Sequence, residues 1–202
     1  MLIDGVSLLA LAVVLGVVVY CVFFRDVWLT RRMKPLVEIL DEGSHFEGGR
    51  LSGGYSGKRA WFEYRAQSRG NPAMMRISVA CAASHSFRIH KKAENLQPPE
   101  RAYLENEIAS PNHQSFYSGD PLWDSELTLA ADSEASFKSW INRPDVHETV
   151  GSIVLRPLTT IMICERGALC AVYLGPGAEA VFQSRFAKEA LDELVSLSET
   201  LG

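Results

Sequence analysis

Phe46-Glu-Gly-Gly-Arg-Leu-Ser-Gly-Gly-Tyr-Ser-Gly-Lys-Arg-Ala-Trp-Phe-Glu-Tyr64 is the stretch on which the fold turns. Glycines at this density serve either a phosphate cradle that opens a helix or the turns of a β-hairpin. A phosphate loop needs G-x-x-x-x-G-K-[ST]; Gly57-Lys58 fits, but Ser52 stands at the first glycine and Arg59 at the hydroxyl position. The dinucleotide pattern G-x-G-x-x-G fails at Ser52 as well, and no helical period follows either match. A nucleophile elbow, G-x-S-x-G, is approached around Ser56 but ends on Lys58. The hairpin reading fits every residue. Ser56-Gly57 is a two-residue turn, after which Ala60, Phe62 and Tyr64 face one side and Trp61, Glu63 and Arg65 the other.

Downstream, residues 68–72 form a turn, and Met75, Ile77, Val79 and Cys81 alternate with Met74, Arg76, Ser78 and Ala80 on a third strand. Phe87 and Ile89 begin a fourth, so four strands joined by local turns predict an antiparallel meander. Pro98 and Pro99 open a short helix ending near residue 108, and 110–120 is polar loop, which makes 94–120 an expected surface excursion. A fifth strand is expected at 126–131. Asp132 or Ser133 caps a helix bearing Phe137, Trp140 and Ile141, and a second helix carries Val146, Val150, Ile153 and Val154. A hairpin around Arg166-Gly167 follows. The last helix sets Phe182, Phe186, Ala190, Leu194, Leu197 and Leu201 on one face. The predicted class is α+β.

Upstream, residues 6–24 carry no charge, and at 1.5 Å per residue they make about 28 Å of helix, near the roughly 30 Å hydrocarbon core of a bilayer. A signal peptide opens with a basic region, whereas Met-Leu-Ile-Asp-Gly carries an acid and no base. A transmembrane helix at 6–24 is therefore expected, with residues 1–5 outside. A basic juxtamembrane helix and turn follow at 25–43, broken at Pro35, and an α+β domain fills 44–202. Arg25, Arg31, Arg32 and Lys34 follow the span and act as topology determinants that place this domain in the cytoplasm. Tyr20, Phe23, Phe24 and Trp28 suit the inner headgroup region.

Residues 35–202 hold 16 Lys and Arg against 22 Asp and Glu, a net charge of −6 that argues against nucleic acid. Four cysteines give no disulfide framework: they are free thiols in a reducing compartment, or Cys164 and Cys170 approach across their hairpin. His147-Glu148 opens a zinc-helix motif whose second ligand position is Gly151, so no metal or cofactor is expected. Tyr117, Asp120, Trp123 and Asp124 gather aromatic rings and carboxylates after a polar loop, and they form the candidate interaction surface. With His113, the same carboxylates are the best polar set for a hydrolase or transferase. A basic set of Arg50, Lys58, Arg59, Lys91 and Lys92 would serve a lipid sensor.

Gly54-Tyr-Ser-Gly-Lys-Arg59 with Trp61-Phe-Glu-Tyr64, and the order of elements over 132–201, resemble poorly characterised bacterial single-pass membrane-anchored proteins with a cytoplasmic α+β domain. The resemblance implies no activity. The expected function is a non-enzymatic interaction or scaffold module at the inner face of a bacterial cytoplasmic membrane. Its expected partners are the bilayer and a membrane-associated protein.

Overall fold

Ser56 and Gly57 have φ values of 48° and 74°, the left-handed pair that a two-residue hairpin of this hand requires. Ser56 is held there by its N–H, which donates to Asp41 Oδ2 at 2.6 Å. Arg166 and Gly167, at 52° and 75°, make the second such turn. The computed structural model describes residues 5–107, 113–158 and 160–201, with backbone alone at 5–10, 18–19, 21–23, 25–26, 42 and 106–107.

Helix α1 (Gly5–Val37) leads into β1 (Glu42–Glu47), β2 (Arg50–Tyr55), β3 (Lys58–Arg65) and β4 (Met74–Ala80). Then come β5 (Phe87–Lys91), α2 (Pro98–Glu107), β6 (Gln114–Phe116), α3 (Pro121–Glu126) and β7 (Leu127–Ala131). Helices α4 (Glu134–Ile141) and α5 (Pro144–Val154), the hairpin β8 (Thr160–Glu165) and β9 (Ala168–Leu174), and helices α6 (Pro176–Ala180) and α7 (Ser184–Glu199) complete the chain. The class is α+β. Nine described strands form one antiparallel sheet in the order β1-β2-β3-β4-β9-β8-β5-β7-β6.

The expected meander is thereby corrected. It runs from β1 to β4, but β5 lies three places away because the β8–β9 hairpin inserts between them. Every residue of β9 is buried, so it needs cover on both faces and neighbours on both edges, which only a central position supplies. Leu169 of β9 faces Val79 of β4, and Ile161 of β8 faces His90 of β5.

Each face of the sheet has its own apolar cover. On one, Leu29, Met33 and Leu36 of α1 join α4, α5 and α7 over Phe62, Ile77, Phe87 and Tyr173. On the other, Leu96, Tyr103 and Leu104 pack α2 onto Ile161, Ile163, Val172 and Leu174. The region expected as a surface excursion is thus largely structural: α2 seals the second face, and β6 pairs with β7 inside the expected polar loop.

Pro35 does not break α1 where expected. It sits in the last turn, where the lost hydrogen bond is one of few remaining, and burial of Met33 and Leu36 on either side holds the turn. Among the described residues no helix is long and apolar enough to cross a membrane. Of the expected span 6–24 the side chains at 6–10, 18–19 and 21–23 lie outside those described, and of the expected outer segment 1–5 only the backbone of residue 5 lies within them.

Candidate functional site

Two crevices flank Tyr64, and the second of them lies where α1 meets the sheet. Tyr64 closes the inward row of β3 and faces the main core, as the alternation with Ala60 and Phe62 dictates. Its hydroxyl donates to Glu179 Oε1 at 3.0 Å, and the other carboxylate oxygen of Glu179 meets Arg32 Nη1 at 2.7 Å. Burial, then that hydrogen bond, pushes the Tyr64 phenol up to about 12, so it stays a donor at any physiological pH. The Arg32 guanidinium lies 4.3 Å from the Phe182 ring centroid and 5.1 Å from that of Trp28. Tyr64 stands 6.0 Å from Trp28 and 5.1 Å from Phe182. Two aromatic rings therefore face a cation that is paired with one carboxylate.

The first crevice, about 400 Å³, runs from Tyr64 between Ala73, Gly175 and Glu179 to Glu100 of α2. Glu100 is buried and its Oε2 accepts from the Gln97 N–H at 3.2 Å, a cap at the start of α2. Gly175, at φ 55° and ψ −126°, takes a conformation that favours glycine, and it lies against Glu100 Oε1. The second crevice, about 430 Å³, lies on the other side of Tyr64 between Trp28 and Leu29 of α1 and Gly48-Gly49. Both have the size of small-ligand sites, and they share Tyr64 and Gln67.

The residues singled out from sequence disperse. Tyr117 is 75% exposed, as a contact residue should be, but Trp123 is only 2% exposed. The assignment of Trp123 to a surface is corrected: it stacks on His147 at 4.1 Å and fills the space left by the missing side chain of Gly151. Asp120 caps α3 by accepting from the N–H groups of Leu122 and Trp123, and it pairs with His147 at 3.2 Å. Asp124 ties down the preceding turn through Ser118 and Gly119. Desolvation pushes its carboxyl up, but these hydrogen bonds, with Lys138, together outweigh it and hold the group below the ordinary range. Both carboxylates are spent on backbone.

His113 stands apart from them, with Nε2 at 2.9 Å from Ser86 Oγ. That hydroxyl donates its single proton to Asp132 Oδ2, so His113 must donate to Ser86 and cannot serve as its base. The hydrolase set does not assemble. Nor does the basic set: Arg50 stacks on Trp61, Lys91 donates to the Arg156 carbonyl, and Lys58 and Arg59 sit at the far hairpin turn. Cys164 and Cys170 point to opposite faces of the sheet, so they cannot pair across the hairpin. Among the described residues no three or more His, Cys, Asp and Glu side chains converge as metal ligands would.

Arg31 and Lys34 are exposed, and Arg32 is half-buried in its pair with Glu179; the Arg25 and Phe23 side chains lie outside those described. Tyr20 and Phe24 are exposed with ring centroids 5.4 Å apart, and Trp28 is 39% exposed.

Burial lowers the pKa values of His85, His90 and His113, with Arg88 adding to the effect at the last two. As pH falls below about 6.5 the unfolded chain takes up protons that these rings resist, so folded stability drops down to the lowered folded values. Glu193, raised mainly by burial, works the other way as one group against three. The urea midpoint is expected to be lower at pH 5.5 than at pH 7.5, and Gln at all three histidine positions should flatten the difference.

A solved structure shares this architecture. It is the crystal structure of the mycobacterial trehalose monomycolate transport factor A, TtfA, aligned with a TM-score of 0.53 over 86% of this chain and 96% of that one. At 8% identity the likeness is of fold alone. No family model matches the chain, and no curated protein matches it in sequence.

Proposed function

We propose that this chain is a membrane-tethered, non-enzymatic domain at the inner face of a bacterial cytoplasmic membrane that receives a membrane amphiphile in the crevices beside α1. The observation that carries the reading is the position of the second crevice: it opens between Trp28, Leu29 and Tyr64, at the point where α1 changes from exposed to docked. Before that point Leu11, Val13, Val14, Leu15 and Val17 are all more than half exposed, on every side of the helix. Apolar side chains uncovered all round need a solvent that is itself apolar, and a bilayer is one. The 33 residues of α1 extend for about 50 Å. The basic residues that follow the span set the cytoplasmic orientation.

Lipid chemistry suits the crevice walls, which combine rings and aliphatic surface with the few fixed polar groups Gln67, Glu100 and Glu179. The likeness in fold to a lipid transport factor supports the same reading. A membrane-associated protein partner is the second reading, favoured by Tyr117 and Leu122, which stay 75% and 57% exposed.

A photoreactive amino acid at Gln67 of the full-length protein, irradiated in native membranes, distinguishes them. The expected result is a lipid adduct at that position, absent when the same group replaces the exposed Glu148. Protein adducts at Gln67, or none but water, would overturn the lipid reading.

A further inference from the structure

Cys81 leaves β4 and is fixed over the β8–β9 turn, its N–H donating to the Gly167 carbonyl at 2.9 Å. That placement carries its side chain past β9 to Cys164 of β8, and the two sulfurs lie 4.0 Å apart. Their environments differ. Cys164 is fully buried in the main core, whereas Cys81 is half-buried beside the exposed Ala82. We propose that Cys81 is a site of oxidation by hydroperoxides and that Cys164 resolves the product into a Cys81–Cys164 disulfide.

The chemistry balances in two steps. The Cys81 sulfur attacks the outer oxygen of the hydroperoxide, the O–O bond breaks, and the departing alkoxide or hydroxide takes the thiol proton, leaving sulfenic acid. The Cys164 sulfur then attacks the Cys81 sulfur; the S–S bond forms, the S–O bond breaks, and hydroxide leaves as water with the Cys164 proton. Two thiols are oxidised and one hydroperoxide is reduced to alcohol and water.

The pair is arranged asymmetrically for these roles. The hydrogen bond from Cys164 lowers the Cys81 thiol to about 7, against the effect of its own burial, and the Ala83 backbone and Lys58 act in the same sense. That same pairing, with burial, raises Cys164, which keeps its proton until a sulfenic acid is there to attack. Asp132 and Cys170 add to the rise. A disulfide needs sulfurs about 2.05 Å apart, so a closure of about 2 Å joins them. In a reducing compartment the bond would be transient, made under peroxide and undone by thiols.

The test uses the full-length protein in detergent, reduced, freed of reductant and exposed to hydrogen peroxide. Peptide mapping is expected to show residues 81 and 164 linked, with two thiols lost per chain and both restored by dithiothreitol. Cys164→Ser should instead accumulate a dimedone-reactive sulfenic acid at Cys81, and Cys81→Ser should leave Cys164 reduced. Sulfinic acid at Cys81 without a link, a bridge through Cys170 or Cys21, or thiols that stay reduced would each overturn the proposal. The linkage map needs only the unsubstituted chain, so it decides even if a variant folds poorly.

Discussion

Leu36→Asp is expected to destabilise the domain by about 4 kcal/mol or more, the range reserved for an unpaired charge or large defect in a core. Leu29, Met33 and Leu36 fall at i, i+4 and i+7 on α1, one stripe of a helix, and Leu36 is wholly inaccessible. They belong to the same apolar cluster as Leu51, Tyr55 and Phe62. A carboxylate at position 36 would lose its water and find no cation among those neighbours. The neighbouring Val37→Asp is the control, since Val37 is 38% exposed and its side chain leaves the stripe. Thermal unfolding of the full-length protein in detergent should separate the two variants widely. Proteolysis should also cut the first one within residues 38–44, where the last turn of α1 is no longer pinned. If both variants melt alike, α1 is not part of the core and the crevice beside it loses its wall.

Phe137→Ala should cost about 3–5 kcal/mol, as deletion of a buried aromatic ring does. Phe137 lies 5.0 Å from Phe87, 5.2 Å from Phe116 and 5.8 Å from Trp140, so it is the hub of the ring cluster beneath α4. Trp140 is in turn tied to the end of α7 through Thr200 Oγ1 at 2.7 Å. Phe116 brings β6 into the cluster, and β6 otherwise holds only three residues of pairing to β7. Loss of the hub should therefore lower the urea midpoint and release β6 first. Hydrogen exchange would show the β6 amides of residues 114–116 exchanging before those of β9. A loss near 1 kcal/mol with β6 still protected would mean that the rings touch without bearing load.

What could be read from the chain alone was local. Ser56-Gly57 and Arg166-Gly167 gave their hairpins because a two-residue turn demands left-handed φ at both positions, and the strands beside them alternate. The closing helix was legible from the 3.6-residue spacing of Ala190, Leu194, Leu197 and Leu201. The order of strands was not, since nothing in the composition of β4 states that its partner is β9, nearly a hundred residues on. The all-buried pattern of β9 was the one available clue to a central place. Asp120-Pro121 is a helix start that went unread: a capping acid before proline at the first position would have turned Trp123 inward. The crevice was out of reach for the same reason as the strand order. Tyr64, Glu179, Glu100 and Trp28 lie on four elements far apart in the chain, and nothing in the charge of Arg32 says that its partner is Glu179.

The unbroken course of α1 gives the molecule a compass. Because one end of the helix is clamped into the sheet by Leu29, Met33 and Leu36, the direction in which the crevices look is fixed relative to every side chain further up the rod. Adding one residue anywhere between Gly16 and Leu29 would swing that bearing by about 100° and lift the domain by about 1.5 Å. Seven residues, close to two full turns, would bring it round again. The length of the helix thus sets the bearing of the crevices relative to its exposed end, a property written in the count of residues rather than in their identity.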